Sequence, residues 1–216
     1  MDEIKTEHYL VFNPDGSYNE QSHNLRHHFK FRNLSNLLLS FGGTGLNLLY
    51  PIDFTGETPI PTGQYNNVGT TILYESDPRK PLSFNIGGGY RGFYNGTLTN
   101  YAATLAYSYQ PWFSLSLKYE QNNIQFPDPY GSAKLNLFNS RIEVNFSKSL
   151  FWTTFLQYNA QSEDFGVNSR LQWRFAPLSD IYLVYTDNYL APVEQQMGIS
   201  HKNRSVVLKF SYWWNV

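Results

Sequence analysis

The sequence contains no cysteine among its 216 residues. It can therefore form no disulfide framework, no thiolate metal site and no cysteine nucleophile. Neither positive nor negative charge is in clear excess, because the sequence has 16 Lys and Arg residues and 17 Asp and Glu residues. Binding to a phosphate backbone requires a basic surplus, so we expect no nucleic acid among the partners.

Long apolar runs and helical periodicity are also missing. No stretch of about 18 apolar residues occurs, which excludes a membrane-spanning helix, and the mean hydropathy is −0.44. The first residues, Met1 to Lys5, lack the basic and apolar regions of a signal peptide.

Aromatic residues, in contrast, are abundant, at 18% of the chain with 17 Tyr, 16 Phe and 5 Trp. Tyr and Trp have an apolar body and a polar tip, so they collect where hydrocarbon meets water. They often recur at every second position, as in the final segment. Its alternating apolar residues are Val206, Leu208, Phe210, Tyr212, Trp214 and Val216, and the positions between them include Ser205, Lys209, Ser211 and Asn215.

Alternation with period two indicates strands with one apolar and one polar face. It predicts about twelve extended segments, most of them long enough to cross a bilayer as tilted strands. The segments are Ile4 to Asn13, Ser22 to Arg32, Asn36 to Tyr50, Gln64 to Ser76, Pro81 to Tyr94, Thr97 to Gln110, Phe113 to Phe126, Ala133 to Phe146, Leu150 to Ser162, Gly166 to Phe175, Asp180 to Asn188 and Arg204 to Val216.

The connections are expected to be tight after every even-numbered segment. Three of the others are longer, at Pro51 to Gly63, Pro127 to Ser132 and Tyr189 to Asn203. Short periplasmic turns combined with longer external loops are typical of outer-membrane barrels. The sequence therefore predicts an all-β fold, an antiparallel transmembrane β-barrel of about twelve strands or the C-terminal part of a larger barrel, as one domain over residues 1–216.

Alternation also assigns the two faces of this barrel. A charge at the lipid-facing midplane costs about 2 to 4 kcal/mol, so we expect the polar faces to line the lumen. The predicted lumen-lining residues are Arg91, Lys118, Glu120, Arg141, Glu143, Arg170 and Arg174. The predicted lipid-facing residues are Tyr101, Leu105, Tyr107, Leu115, Leu117, Leu171, Trp173, Phe210, Tyr212 and Trp214.

Several longer motifs resemble a known family. They are Asp77 to Ser83, Tyr94 to Thr97, Gln157 to Asn159, Gly166 to Tyr185 and Asn203 to Lys209. Together they resemble the C-terminal barrel of outer-membrane proteins whose N-terminal part is a family 9-like carbohydrate-binding module. The resemblance covers roughly residues 22–216. It implies an envelope location and a glycan-binding module upstream of this chain, and it carries no catalytic residues.

Motifs of catalysis and metal binding are missing from the sequence. No HExxH, GxSxG or Walker-type sequence occurs. Glu120 and Glu143 could act as a carboxylate pair on a glycoside, but a ladder with Lys118, Arg141 and Arg170 is the favoured interpretation. We expect no metal and no cofactor, because His27 and His28 face opposite sides of a strand and the remaining histidines, His8, His23 and His201, are scattered.

Other candidate ligand contacts have simpler explanations. The acidic residues Asp53, Glu57, Asp128 and Asp187, in or next to predicted loops, are more simply solvated charges than Ca²⁺ ligands. The tryptophans Trp112, Trp152, Trp173, Trp213 and Trp214 are more simply an interface girdle than sugar-stacking residues. The glycines at Gly42 to Gly45 and at Gly87 to Gly89 are expected to mark bends or close backbone approaches.

Two classes of function are compatible with these features. The favoured one is a non-catalytic outer-membrane barrel that contacts lipid and serves as anchor or conduit for a glycan-binding envelope protein. The alternative is a secreted, soluble β-sheet lectin or glycoside hydrolase. Because a membrane barrel must be exported, we further expect this chain to be a mature piece or the C-terminal part of a longer precursor.

Overall fold

The computed structural model describes residues 2–191 and 199–214. The described residues form twelve β-strands and no helix, which confirms the all-β prediction. The strands are β1 (Asp2–Phe12), β2 (Tyr18–Lys30), β3 (Asn36–Leu48), β4 (Gly63–Glu75), β5 (Leu82–Phe93), β6 (Gly96–Tyr109), β7 (Phe113–Gln125), β8 (Ser132–Asn145), β9 (Leu150–Asn159), β10 (Asp164–Ala176), β11 (Ser179–Leu190) and β12 (Ser200–Ser211).

The strands are hydrogen-bonded in the order of the sequence, from β1 to β12, as one antiparallel sheet. In the described part of the chain, β1 is paired on one side only, with β2, and β12 on one side only, with β11. The strand pairing therefore confirms the predicted antiparallel sheet of twelve strands. The described residues do not show the pairing of β1 with β12 that closure into a barrel would require.

The last strand begins earlier than predicted, at Ser200 instead of Arg204. The polar residues Ser200 to Asn203 continue the ladder with β11 across a register shift between Asn188 and Tyr189. The alternation missed this extension because a bulge interrupts period two. The middle of the predicted loop, at 192–198, and the predicted strand end at Asn215 and Val216 lie outside the described residues.

The chain divides into two compact units. Unit 1 consists of Met1–Arg79, Phe84–Ala103 and Glu120–Leu135, and unit 2 of Lys80–Ser83, Thr104–Tyr119 and Asn136–Val216.

In unit 1 the register collects apolar and polar side chains in alternate rows, because neighbours on a strand point to opposite faces. One row of the apolar face runs through Ile4, His27, Leu39 and Ile72. The next row, on the opposite face, runs through Lys5, Arg26, Ser40 and Thr71.

Unit 2 repeats this separation more strictly. One row consists of Val144, Trp152, Leu171, Leu183 and Leu208 on five successive strands. The row beside it, on the opposite face, consists of Asn145, Phe151, Gln172, Tyr182 and Lys209. We name the two sides of each unit the apolar face and the polar face.

Two glycines of β5 lie where neighbouring backbones come close. A Cβ on Gly87 would be 2.9 Å from the carbonyl oxygen of Ile72, and a Cβ on Gly88 would be 2.9 Å from that of Asn100. Real Cβ contacts are longer than this, so a larger residue would force these strands apart. The glycines thus serve the close backbone approach expected from the sequence.

Very few apolar side chains of the described residues are buried. The only ones are Ile60, Leu98 and Ile124, and all three belong to unit 1. Large apolar side chains are instead exposed, for example Leu208 at 72% and Trp173 at 50%. Within each unit, the described residues therefore form no second layer over the apolar face.

Candidate functional site

Charged side chains on the polar face of unit 2 are held in hydrogen bonds. Glu143 accepts from Arg141 through one carboxylate oxygen, with Nε at 2.9 Å, and from the Ser114 hydroxyl at 2.9 Å through the other. Asp180 is buried, accepts from Gln172 Nε2 at 2.9 Å and lies 3.4 Å from Arg174 Nε. Both carboxylate oxygens of Glu143 therefore accept hydrogen bonds from neighbouring side chains.

The structure brings together several of the residues predicted to line a lumen. Glu143 and Arg170 both lie beside Thr153, and Arg174 lies beside Asp180 on the same face. Asp180 itself was missed by the sequence interpretation. Its position opposite Arg174, across the short turn between β10 and β11, is the signal that could have identified it.

The other predicted lumen residues lie on the strands as follows. Arg91, in unit 1, is the register partner of Gly69 and places its guanidinium 5.7 Å from the centre of the Phe93 ring. Lys118 and Glu120 are two positions apart on β7, which puts them on one face, and neither is free of partners.

Two of the residues predicted to face lipid, Leu171 and Trp173, lie on the face of unit 2 opposite to Arg170 and Arg174. In unit 2, Phe175 stacks on Phe210 at 5.5 Å and on Tyr212 at 6.4 Å between ring centres, with Trp173 beside it. On β6, Tyr101, Leu105 and Tyr107 are exposed and alternate with half-buried residues. Leu115 and Leu117 are half-buried on β7, Leu171 is exposed on β10, and Trp214 is exposed beyond the end of β12.

A polar groove crosses the polar face of unit 2 near the loop ends of β9 to β12. Its volume is about 560 Å³, within the roughly 300–1,000 Å³ of small-molecule sites. Register aligns Gln157, Gly166, Asn188 and Asn203 across its floor. The other residues that line it are Phe155, Asn159, Ser162, Asp164, Val167, Asn168, Thr186 and Lys202.

The groove is rich in amides, and its described lining residues carry no excess charge. Lys202 donates to Asp164 at 2.6 Å, so its one cation and one anion are paired with each other. Asn188 donates to Asn203 Oδ1 at 2.7 Å, and Asn168 donates to the Thr186 hydroxyl at 2.9 Å. No charge signature marks this site in the sequence, because its residues come from four strands and are individually ordinary.

A buried carboxylate lies at the loop end of the apolar face of unit 2. Asp187 is 1% exposed and accepts from Tyr185 Oη at 2.5 Å, Tyr189 Oη at 2.6 Å and Arg204 Nε at 2.9 Å. His201 Nε2 lies 2.9 Å from its other oxygen. The prediction that Asp187 is a solvated loop charge is therefore wrong. Tyr185, Asp187 and Tyr189 alternate on one strand face, which is the pattern that sequence reasoning overlooked.

The long connection between β3 and β4 packs against other parts of unit 1, to which it belongs. Phe54 lies 5.1 Å from Phe93, 5.5 Å from Tyr94 and 6.2 Å from Phe126, measured between ring centres. The Thr55 hydroxyl donates to the carbonyl oxygen of Tyr130 at 2.7 Å. Ile60, 1% exposed, is held by a two-residue bridge with Ile52. This connection is thus a packed segment rather than an open loop.

Two histidines that the sequence interpretation treated as scattered are neighbours. His8 on β1 and His23 on β2 are register partners, and their Nδ1 atoms are 2.8 Å apart. The description of these two histidines as scattered was wrong because it ignored strand pairing. Among the described residues, no group of three or more potential metal-ligating side chains comes together.

The tight connections contain carboxylates with local partners. In the turn between β1 and β2, the Ser17 backbone N–H at 2.9 Å and hydroxyl at 2.6 Å donate to Asp15 and hold its pKa below the ordinary value. In the turn between β4 and β5, Arg79 forms a two-point pair with the buried Asp77, which raises the pKa of the guanidinium. Both carboxylates fasten turns.

Comparison with known proteins finds no matching family model, no matching curated protein and no matching solved structure. Among the described residues, no helix has the length and apolarity needed to cross a membrane.

Proposed function

We propose that this chain is the membrane-embedded part of an outer-membrane β-barrel protein. In this proposal it serves without catalysis as anchor or conduit for an envelope protein that binds glycans. The observation that carries the proposal is the exposure of the apolar faces. The described residues bury three apolar side chains, while rows such as Leu171, Leu183 and Leu208 stay accessible.

Such a surface is unfavourable in water. Each large apolar side chain left exposed forgoes about 1.5–3 kcal/mol of burial free energy, and soluble monomers rarely expose large continuous apolar patches. Hydrocarbon removes this penalty. It also accounts for the aromatic residues at the strand ends, since Trp and Tyr are favoured at the two interfaces.

The lengths of the strands and the placement of the charges also support lipid as the solvent of the apolar face. The strands are 10–14 residues long, which meets the roughly 9–11 residues of a tilted membrane strand. The charged residues Arg141, Glu143, Arg170 and Arg174 lie on the face opposite to Leu171 and Trp173. Lipid is therefore the partner of the apolar face, and water is the partner of the polar face.

The edge strands of the sheet determine which further strand pairs the protein needs in a membrane. A strand with an unpaired edge exposes backbone N–H and C=O groups, which hydrocarbon does not tolerate. In the membrane, the free edge of β1 and the free edge of β12 must each take a partner strand. A sheet closed in this way would span the membrane as an anchor or a conduit. The family resemblance implies the glycan-binding module that it would serve.

The proposal is tested by single-cysteine labelling, for which the cysteine-free chain is well suited. Cysteine is introduced in turn at positions 101–108 of β6, and the protein is reconstituted in lipid vesicles. A water-soluble maleimide should label even positions and spare odd ones, and a lipid-soluble maleimide should do the reverse. Uniform labelling by the water-soluble reagent, with the chain monodisperse in detergent-free buffer, would instead establish the soluble alternative.

A further inference from the structure

We propose that the groove on the polar face of unit 2 is a binding site for a neutral saccharide. This assignment goes beyond the proposed function, in which any glycan is bound by a module outside this chain. It rests on the groove's own shape and hydrogen-bonding groups. It holds or fails independently of whether the apolar face contacts lipid.

The hydrogen-bonding groups of the groove fit hydroxyl groups. The hydrogen bond between Asn188 and Asn203 leaves the amide oxygen of Asn188 and the amide N–H groups of Asn203 for a ligand in the groove that both residues line. The pair of Asn168 and Thr186 likewise leaves an acceptor on Asn168 and a hydroxyl donor on Thr186. Adjacent donors and acceptors match the vicinal hydroxyls of a sugar, each of which both donates and accepts.

Gln157 adds a further amide at the centre of the groove. Its register partner on β10 is Gly166, which has no side chain to fill the space above it. A Cβ there would be 3.0 Å from Asn188 Oδ1. The groove floor therefore stays open between the amides of Gln157 and Asn188.

Phe155 supplies the one aromatic surface of the groove. It lies two positions before Gln157 on β9, hence on the same face, and its side chain is 38% exposed. A pyranose ring has an apolar C–H face as well as hydroxyl edges. An exposed aromatic ring beside a set of amides can therefore pack against the C–H face of the sugar while the amides bond to its hydroxyl groups.

Other ligand classes fit the groove less well. An anion such as phosphate would need a free cation, but Lys202 is paired with Asp164. A divalent cation would find a single carboxylate instead of the several oxygens it prefers. An apolar ligand would bury the amides without partners, at a cost of about 1–3 kcal/mol each.

The test uses the full chain in detergent micelles, with isothermal titration against maltotriose, cellotriose and mannotriose. Glucosamine and glucose 6-phosphate serve as charged probes. We expect saturable binding of at least one trisaccharide, and binding at least tenfold weaker for Phe155→Ala and for Gln157→Ala. Asn203→Asp provides a third variant that keeps the shape of the side chain, and it should weaken the same interaction.

The matched control is Phe151→Ala, because Phe151 is an aromatic residue on the same strand and the same face outside the groove. It should leave the trisaccharide affinity within about twofold. The proposal is overturned if no trisaccharide binds, if the Phe151 variant loses binding as the Phe155 variant does, or if a charged probe binds more tightly. The vesicle labelling pattern on β6 does not depend on these outcomes, so the two proposals fail separately.

Discussion

At the scale of single residues, the most constrained group of the described chain is the Asp187 carboxylate. Three donors converge on one of its oxygens, from Tyr185, Tyr189 and Arg204, and His201 meets the other. The guanidinium of Arg204 is also within 6.0 Å of the Tyr185 ring. Two strands are thereby fastened near their loop ends, next to the apolar rows. The cluster is internally satisfied, which makes it a structural feature rather than a ligand site.

We expect Asp187→Asn to lower the stability of the protein, because an amide cannot accept from every donor that the carboxylate holds. The measurement is the urea midpoint of the protein folded in vesicles. Asp128→Asn is the control, since Asp128 is an exposed carboxylate in the connection between β7 and β8. Equal midpoints for the two variants would show that the cluster does not stabilise the fold.

A second residue-scale prediction distinguishes the two faces of β6. We expect Leu105→Arg to cost about 2 to 4 kcal/mol at mid-depth in a bilayer, as a charge on the lipid face does. Thr104→Arg, one position away on the polar face, should cost less. Urea titration of folding into vesicles, followed by tryptophan fluorescence, gives both values. The face assignment is wrong if the order is reversed.

At the scale of elements, the connection between β3 and β4 behaves as a small packed core rather than a loop. Its length suggested an external loop, yet Ile60 is buried and Phe54 contacts three aromatic rings. This packing sets how often the segment opens.

We therefore expect Ile60→Ala to weaken the closed segment by about 2–5 kcal/mol, the usual cost of this truncation at a buried site. Opening should then be more frequent, and cleavage within residues 51–62 should accelerate at low protease concentration. Thr58→Ala is the matched control, because Thr58 is exposed in the same segment. Equal cleavage rates in the two variants would contradict the packing argument.

The edge strands give a further prediction at this scale. Backbone N–H groups exchange with solvent when they lack a partner. If β1 and β12 each acquire a partner strand in the membrane, their amides should be protected in vesicles to the same degree as those of β6. Hydrogen–deuterium exchange with mass spectrometry measures this. Rapid exchange of half of the β12 amides in vesicles would mean that this edge stays unpaired.

At the scale of the whole molecule, the distribution of side chains is the reverse of that in a soluble protein. Apolar rows are exposed, and several of the most buried side chains are polar, including Ser179 and Asp187 at 1%. A solvent of hydrocarbon on one side and water on the other makes this arrangement favourable. On the polar face of unit 2, Arg141, Arg170, Arg174 and Lys209 outnumber Glu143 and Asp180, which bears on the distinction between conduit and anchor.

Single-channel recording in planar bilayers addresses that distinction. If the polar face of unit 2 lines open water, we expect conductance with a preference for anions, because Arg141, Arg170, Arg174 and Lys209 lie on that face. Replacing Arg170 and Arg174 by Gln should reduce the preference, whereas replacing the turn residue Lys148 should not. Cation preference would contradict the charge argument, and an absence of conductance would assign the anchor role.

Alternation in the sequence by itself determined that there are twelve strands and which residues within one strand share a face. Residues two apart must share a face, so the split between Trp173 and Arg174 follows from position alone. Only the tertiary structure decided which residues of different strands meet, since strand register depends on bulges and turns that local patterns do not encode. Register pairs Arg204 with Asp187, the bulge beside Asn188 shifts the pairing of His201, and pairing of β9 to β12 gathers the amides of the groove. In the described part of the chain, β1 and β12 each pair on one side only, which alternation within a strand does not encode.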